Sequence, residues 1–275
     1  MEMETNETVI ESRKSSKRGG LNAPITILVL IAIGICIYMF VLGNPNNFID
    51  AEKHEPKEGN FMGIIYMGGI IVPILISFFL MVIVFTIDRI IALSKAAGKG
   101  NVSKFVDNIR ELVDRNKINE ALELCDQQKG SVGNVVKEGL TTYKALESDS
   151  TMNKEQKLIE LNKTLEEAST LEMPTLEKNT AILSTIASVG TLVALMGTVI
   201  GMIKAFFALG AGGGAPDAAQ LSKGIAEALI NTALGIGSSA LAIIAYNFIT
   251  SKIDDIVFKI EEVGMSIQQS FGAHH

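Results

Sequence analysis

The chain is 275 residues long, 48% of them apolar, and carries a formal net charge of −6 at neutral pH. A mildly acidic balance without a basic, aromatic-rich segment argues against nucleic acid as a partner. Several apolar runs are longer than a soluble helix needs, which puts the membrane class first.

Taken in chain order, a basic leader over 1–23, containing SRKSSKRGG, precedes an apolar stretch over 24–43. That stretch is longer than a secretory signal core, and the GNPNNF that follows lacks a small-residue cleavage site, so an uncleaved spanning helix is expected. A loop over 44–60 leads to a second span over 61–87, in which Pro73 should cause a kink. Residues 88–179 read as helical throughout. Val102, Phe105, Val106, Ile109, Leu112 and Val113 recur at three- and four-residue steps, as do Ile118, Ala121, Leu122 and Cys125. Gly130 suits a helix stop, a further helix is expected near 132–143, and a longer one from 153 toward 176 carries Leu158, Leu161 and Leu165 on one face. Pro174 should bend or interrupt the approach to a third span over 180–209. A loop over 210–223 joins it to a fourth span over 224–251, and a separate helix and tail fill 252–275. Within 88–179 no strand candidate competes. The fold class is therefore an all-α membrane protein with four transmembrane helices and a helical segment outside the bilayer.

Orientation follows from lysine and arginine near the span ends. Arg13, Lys14, Lys17 and Arg18 precede the first span, Arg89, Lys95, Lys99 and Lys104 follow the second, and Lys252 and Lys259 follow the fourth. The connection AEKHEPKEGN is acid-rich, and GAGGGAPDAAQ has no basic residue. Both termini and the 88–179 segment are thus expected in the cytoplasm. Cys36 lies in an apolar run and Cys125 in a charged helix, so no disulfide is expected between them. His54, His274 and His275 form no metal-ligand pattern with cysteine, so neither metal nor cofactor is expected, and no function is assigned to the terminal pair. A Ser/His/Asp order and a phosphate loop are absent from the sequence, which leaves an enzyme without support.

The third span holds a stripe of small residues, Ala187, Gly190, Ala194, Gly197 and Gly201, that permits close approach of another helix. Beside it run Ser184, Ser188, Thr191 and Thr198. On the fourth span Glu227, Asn231, Gly235, Ser238 and Ala242 share a face, with Thr232 and Ser239 at its edge. Counting from the hairpin connection at 1.5 Å per residue puts Thr198 and Thr232 both about 15 Å deep, near the midplane of a core about 30 Å thick. Glu227 lies about 7–8 Å nearer the connection, in the first turn, where the helix dipole favours an acid. An interfacial N-terminal acid and an inward charge lining a wet path both fit it. Lys204 is expected to snorkel out of the bilayer rather than pair with Glu227.

At these residues the sequence resembles the MotA/TolQ/ExbB proton channel family. The resemblance is carried by LSTIASVGTLVALMGTVIGMIKAF (183–206) and GIAEALINTALGIGSSALAIIAYN (224–247). INEALELCDQQKGSVGNVVKEGL (118–140) and the pair Asp88 and Arg89 add to it. The fourth-span motif is more similar to ExbB and TolQ than to the flagellar stator protein. Thr191 and Ala194 stand where the family often has proline and glycine, and the first span is additional to the three-span ExbB plan. The resemblance implies a non-enzymatic subunit of a motor in the bacterial inner membrane, driven by the proton-motive force. It implies a homo-oligomeric ring, a pentamer, around an ExbD/TolR-like single-span protein that carries a membrane aspartate, with a TonB-like protein as a further partner. Thr198, Thr232 and Glu227 are implied as the ion pathway. Thr191, Ser188, Asn231, Ser238 and Ser239 are expected to serve the pathway or packing, and Gly190, Gly197, Gly201 and Gly235 close helix packing. The work implied is TonB-dependent nutrient import. A flagellar or gliding stator, a TolQ-like envelope-maintenance subunit, and a structural membrane scaffold are the alternatives.

Overall fold

The structure is a computed structural model that describes residues 21–50, 55–210 and 218–274. Most of the basic leader, His54, the glycine-rich 211–217 and His275 lie outside the described residues. Helix α1 (Ala23–Cys36) opens with a proline in its first turn, where a missing N–H is harmless, and continues as a π-helical turn, Ile37–Leu42. A 3₁₀ turn (Pro45–Asn47) follows, and then the one departure from helix: β1 (Phe48–Asp50) pairs antiparallel with β2 (Glu55–Pro56). The connection between the first two spans thus contains a small ribbon. Asn47 ties it to the first span by donating from Nδ2 to the carbonyls of Val41 and Leu42, at 2.8 and 3.0 Å.

The second span is broken. Helix α2 (Phe61–Tyr66), capped by Asn60, stops after six residues. A 3₁₀ turn (Gly69–Ile71) intervenes before α3 (Val72–Ala97) begins. The kink expected at Pro73 is corrected: Pro73 sits in the first turn of α3, and the break lies before it, where Gly69 adopts φ +74°. Gly69 supplies the backbone freedom, Gly68 leaves room for Val72 and Ile230, and the proline then restarts the helix at a position that needs no donor.

Four helices form the charged bundle. They are α4 (Val102–Asp114), α5 (Ile118–Gln128), α6 (Gly130–Ser148) and α7 (Lys154–Glu177). Helix α4 is capped by Asn101, and α7 by a reciprocal Asn153/Gln156 capping box. Pro174 is accommodated inside α7, so the interruption expected there falls instead at Lys178 and Asn179, the latter at φ +61°. The third span is α8 (Thr180–Gly210).

The fourth helix continues well past residue 251, where the sequence suggested that the span ends. Helix α9 (Ala218–His274) runs unbroken for 57 residues, through the bilayer stretch and into the bundle. Its extension buries Ile253, Ile256, Ile260, Val263, Ile267 and Phe271 against α4, α6 and α7. Phe271 packs edge-on to Tyr143 at 4.8 Å, and Ser270 Oγ donates to the Val113 carbonyl at 2.9 Å. The amphipathic faces of α4–α7 therefore close on the continuation of a spanning helix, which makes one core from two segments.

Cys125 lies in that core, 2% exposed, and burial pushes its thiol up to about 12, with the charge of Asp126 adding to the effect. Because the thiolate is the reactive form, its fraction near pH 8 falls roughly a thousandfold against an ordinary thiol. In a Cys36→Ser background, maleimide is expected to leave Cys125 unlabelled in the native protein at pH 8 and to label it rapidly in denaturant. Equal rates would place Cys125 outside the core.

Candidate functional site: the hairpin of the third and fourth spans

Helices α8 and α9 lie antiparallel, and their closeness is set by glycine. A Cβ at Gly235 would stand 2.1 Å from the Ala194 Cβ. One at Gly197 would meet Asn231 Cβ at 2.6 Å, and one at Gly190 would meet Ser239 Oγ at 2.6 Å. Gly201 lies against the Ala228 nitrogen and the Gly224 carbonyl, both 2.7 Å from such a Cβ. Only hydrogen fits at these positions, and the small-residue stripe is the seam of the hairpin.

This register also fixes depth. Gly197 faces Asn231, and because the helices run antiparallel the next residues, Thr198 and Thr232, lie about 3 Å apart in depth on either side of that level. Both are half-buried, and each hydroxyl donates within its own helix, Thr198 to the Leu195 carbonyl at 2.6 Å and Thr232 to the Ala228 carbonyl at 3.0 Å. No hydrogen bond joins the two. A hydroxyl bonded this way keeps its lone pairs, so both residues remain acceptors for a visiting proton donor. Ser188 is exposed and donates to the Ser184 carbonyl at 3.4 Å; Thr191 reaches across the seam to Ser239 Oγ at 3.0 Å. Ser238 is fully buried and bonds the Gly235 carbonyl at 3.0 Å. Thr191, Ser238 and Ser239 therefore sit in the seam, while Ser188 stays on the open flank.

At the connection end Glu227 is 7% exposed. The expectation that Lys204 snorkels is corrected: its Nζ lies 2.6 and 2.8 Å from the two carboxylate oxygens of Glu227. The glycine seam explains this, because Gly201 and Gly224 bring α8 close enough for the lysine to meet the acid one turn away. Asn231, wholly buried, donates from Nδ2 to the Gly68 carbonyl at 2.9 Å. Gly69 lies over Glu227, where a Cβ would stand 2.7 Å from Oε1. The broken start of the second span is thus the third wall of this site. The reading of residues missed that wall, although two glycines shortly before a proline inside an apolar run were a usable sign.

At the opposite end Arg89, 1% exposed, pairs with Asp88 at 2.7 Å. Asp88 also accepts from the Leu21 nitrogen at 3.2 Å, and Asn179 donates to the Leu21 carbonyl at 3.3 Å. This clasp ties the start of the first span to the end of the second and the start of the third. Among the described residues no group of three His, Cys, Asp or Glu side chains gathers as metal ligands would.

Four long apolar helices with glycine seams and a lined polar flank define a multi-pass helical membrane protein. The profile of the MotA/TolQ/ExbB proton channel family matches residues 127–262, a stretch that includes all of α8 and α9 as far as residue 262. The chain is 27% identical over 206 residues to the putative biopolymer transport protein ExbB homolog of Methanothermobacter thermautotrophicus, covering 74% of this chain and 68% of that protein. It is 40% identical over 87 residues to the Tol-Pal system protein TolQ of Haemophilus influenzae, covering 31% of this chain and 37% of TolQ. A 79-residue stretch is 40% identical to the biopolymer transport protein ExbB of Helicobacter pylori, covering 29% of this chain and 54% of that protein.

Proposed function

We propose that this chain is the ion-route subunit of a bacterial inner-membrane complex that couples the proton-motive force to work at the cell envelope. The observation that carries the reading is an unmatched set of groups. Thr198 and Thr232 offer hydroxyls within about 3 Å of one depth, while Glu227, the only carboxylate in the four spans, is already held by Lys204. An acid that takes up and releases protons at mid-depth must come from another chain. An ExbD/TolR-like single span carrying an aspartate fits that need, enclosed by a ring of copies of this chain, a pentamer in this reading. The exposed apolar surface of α8 and α9, including Leu195, Val199, Phe206, Leu229 and Ile236, is available for lipid and neighbouring copies. Both termini and the bundle are taken to face the cytoplasm, with Glu227 toward the outside.

The work powered is read as transport at the envelope with a TonB-like partner, in keeping with the names of the ExbB relatives. The TolQ stretch favours envelope maintenance as the second reading. Proteoliposomes holding this chain alone are expected to leak protons no faster than empty vesicles. With an aspartate-bearing single-span partner flux is expected to appear, and Glu227→Gln is expected to reduce it at least tenfold. Equal flux without the partner would overturn the proposal.

A further inference from the structure

The first span stands apart from the hairpin, yet its contacts lead to Glu227. Gly34 docks it on α3, since a Cβ there would lie 2.2 Å from Ser77 Oγ and 2.9 Å from the Pro73 carbonyl oxygen. Past this contact, the π turn presents Tyr38. Its ring stacks on Tyr66 with centroids 4.6 Å apart and 12° between planes, and its hydroxyl donates to the Tyr66 carbonyl at 3.3 Å. Phe48 packs edge-on against Tyr66 at 5.3 Å.

Tyr66 is the last residue of α2. A helix that stops leaves its last carbonyls without partners along the helix, and donors from elsewhere in the protein can satisfy them. Two side chains supply donors here: Tyr38 to Tyr66, from the first span, and Asn231 to Gly68, from the fourth. The turn between these fixed points places Gly69 on Glu227. Removing either donor takes one tertiary hydrogen bond from that turn.

We propose that Tyr38 is a positioning residue for the Glu227–Lys204 pair. By capping Tyr66 it holds the Met67–Gly68–Gly69 turn against Glu227, and so keeps the lysine clasped to the acid. The first span thereby sets the geometry at the outer end of the ion route. The inference rests on the functional reading of Glu227 given above, but its test reads the clasp and not ion flux, so the two fail separately.

The full-length protein in lipid vesicles is pulsed with a membrane-impermeant sulfonated succinimidyl ester, and acylation of Lys204 is followed by peptide mass spectrometry. Glu227→Gln sets the rate for a released lysine. Tyr38→Phe keeps the ring stack and loses only the donor. It is expected to raise Lys204 acylation at least threefold, toward the Glu227→Gln rate, with a melting temperature near that of the wild type. Gly34→Leu, which pries the first span from α3, should raise it likewise. Acylation at the wild-type rate in Tyr38→Phe, with or without a lower melting temperature, overturns the proposal. So does a Glu227→Gln protein that reacts no faster than the wild type.

Discussion

Cells carrying Thr198→Val together with Thr232→Val are expected to assemble the complex at normal levels and to lose all proton-driven work. Valine keeps the branched shape, and each lost hydroxyl served only a carbonyl of its own helix, so the stability cost should stay within about 1 kcal/mol. What disappears is the pair of acceptors at mid-depth. Each single change should lower partner-dependent proton flux at least tenfold, and the double change should bring it to background. The informative comparison is flux per assembled complex. Unchanged flux in the double variant would remove the threonines from the route and favour a packing scaffold.

Gly235→Leu is expected to have the largest effect on assembly. Overfilling a packed interior costs about 1–3 kcal/mol where neighbours can shift. Here the added Cβ lies 2.1 Å from the Ala194 Cβ and 3.0 Å from the Gly190 carbonyl oxygen, so a second helix backbone must move. The variant should yield no complex on size-exclusion chromatography in mild detergent. Gly237→Leu, two residues on, has nothing within 4 Å of its added Cβ and should leave the hairpin folded. Equal recovery of both would mean that the two helices do not sit at this spacing.

Much of this architecture was legible because a membrane span must be both long and uncharged, and because glycine at three- and four-residue steps has few uses other than close packing. The helices of the bundle were visible in their apolar periodicity, from Phe105 to Val113 and from Leu158 to Leu165. The misjudged features are those where tertiary contact decides. Lys204 has stem enough either to snorkel or to pair, and only the approach at Gly201 selects Glu227. The break at Gly68 and Gly69 depends on donors 28 and 163 residues away. The continuation of the fourth helix beyond its apolar stretch was invisible for a different reason. Helix propensity stays high across the change from lipid-facing to charged residues near Lys252, so nothing local marks a stop.

Helix α9 carries no proline between Ala218 and His274, and its glycines do not interrupt it. It acts mechanically as a single stiff lever. Thr232 and Phe271 lie 39 residues apart on it, about 58 Å at 1.5 Å per residue. A tilt of about one degree at the threonine level would move the Phe271 end by about 1 Å on that length. That end is gripped by Tyr143 and by the Val113 carbonyl, so the displacement cannot dissipate in a free tail. Small rearrangements of α9 at the level of Thr232 would therefore arrive amplified in the bundle, as a sideways push on α4 and α6.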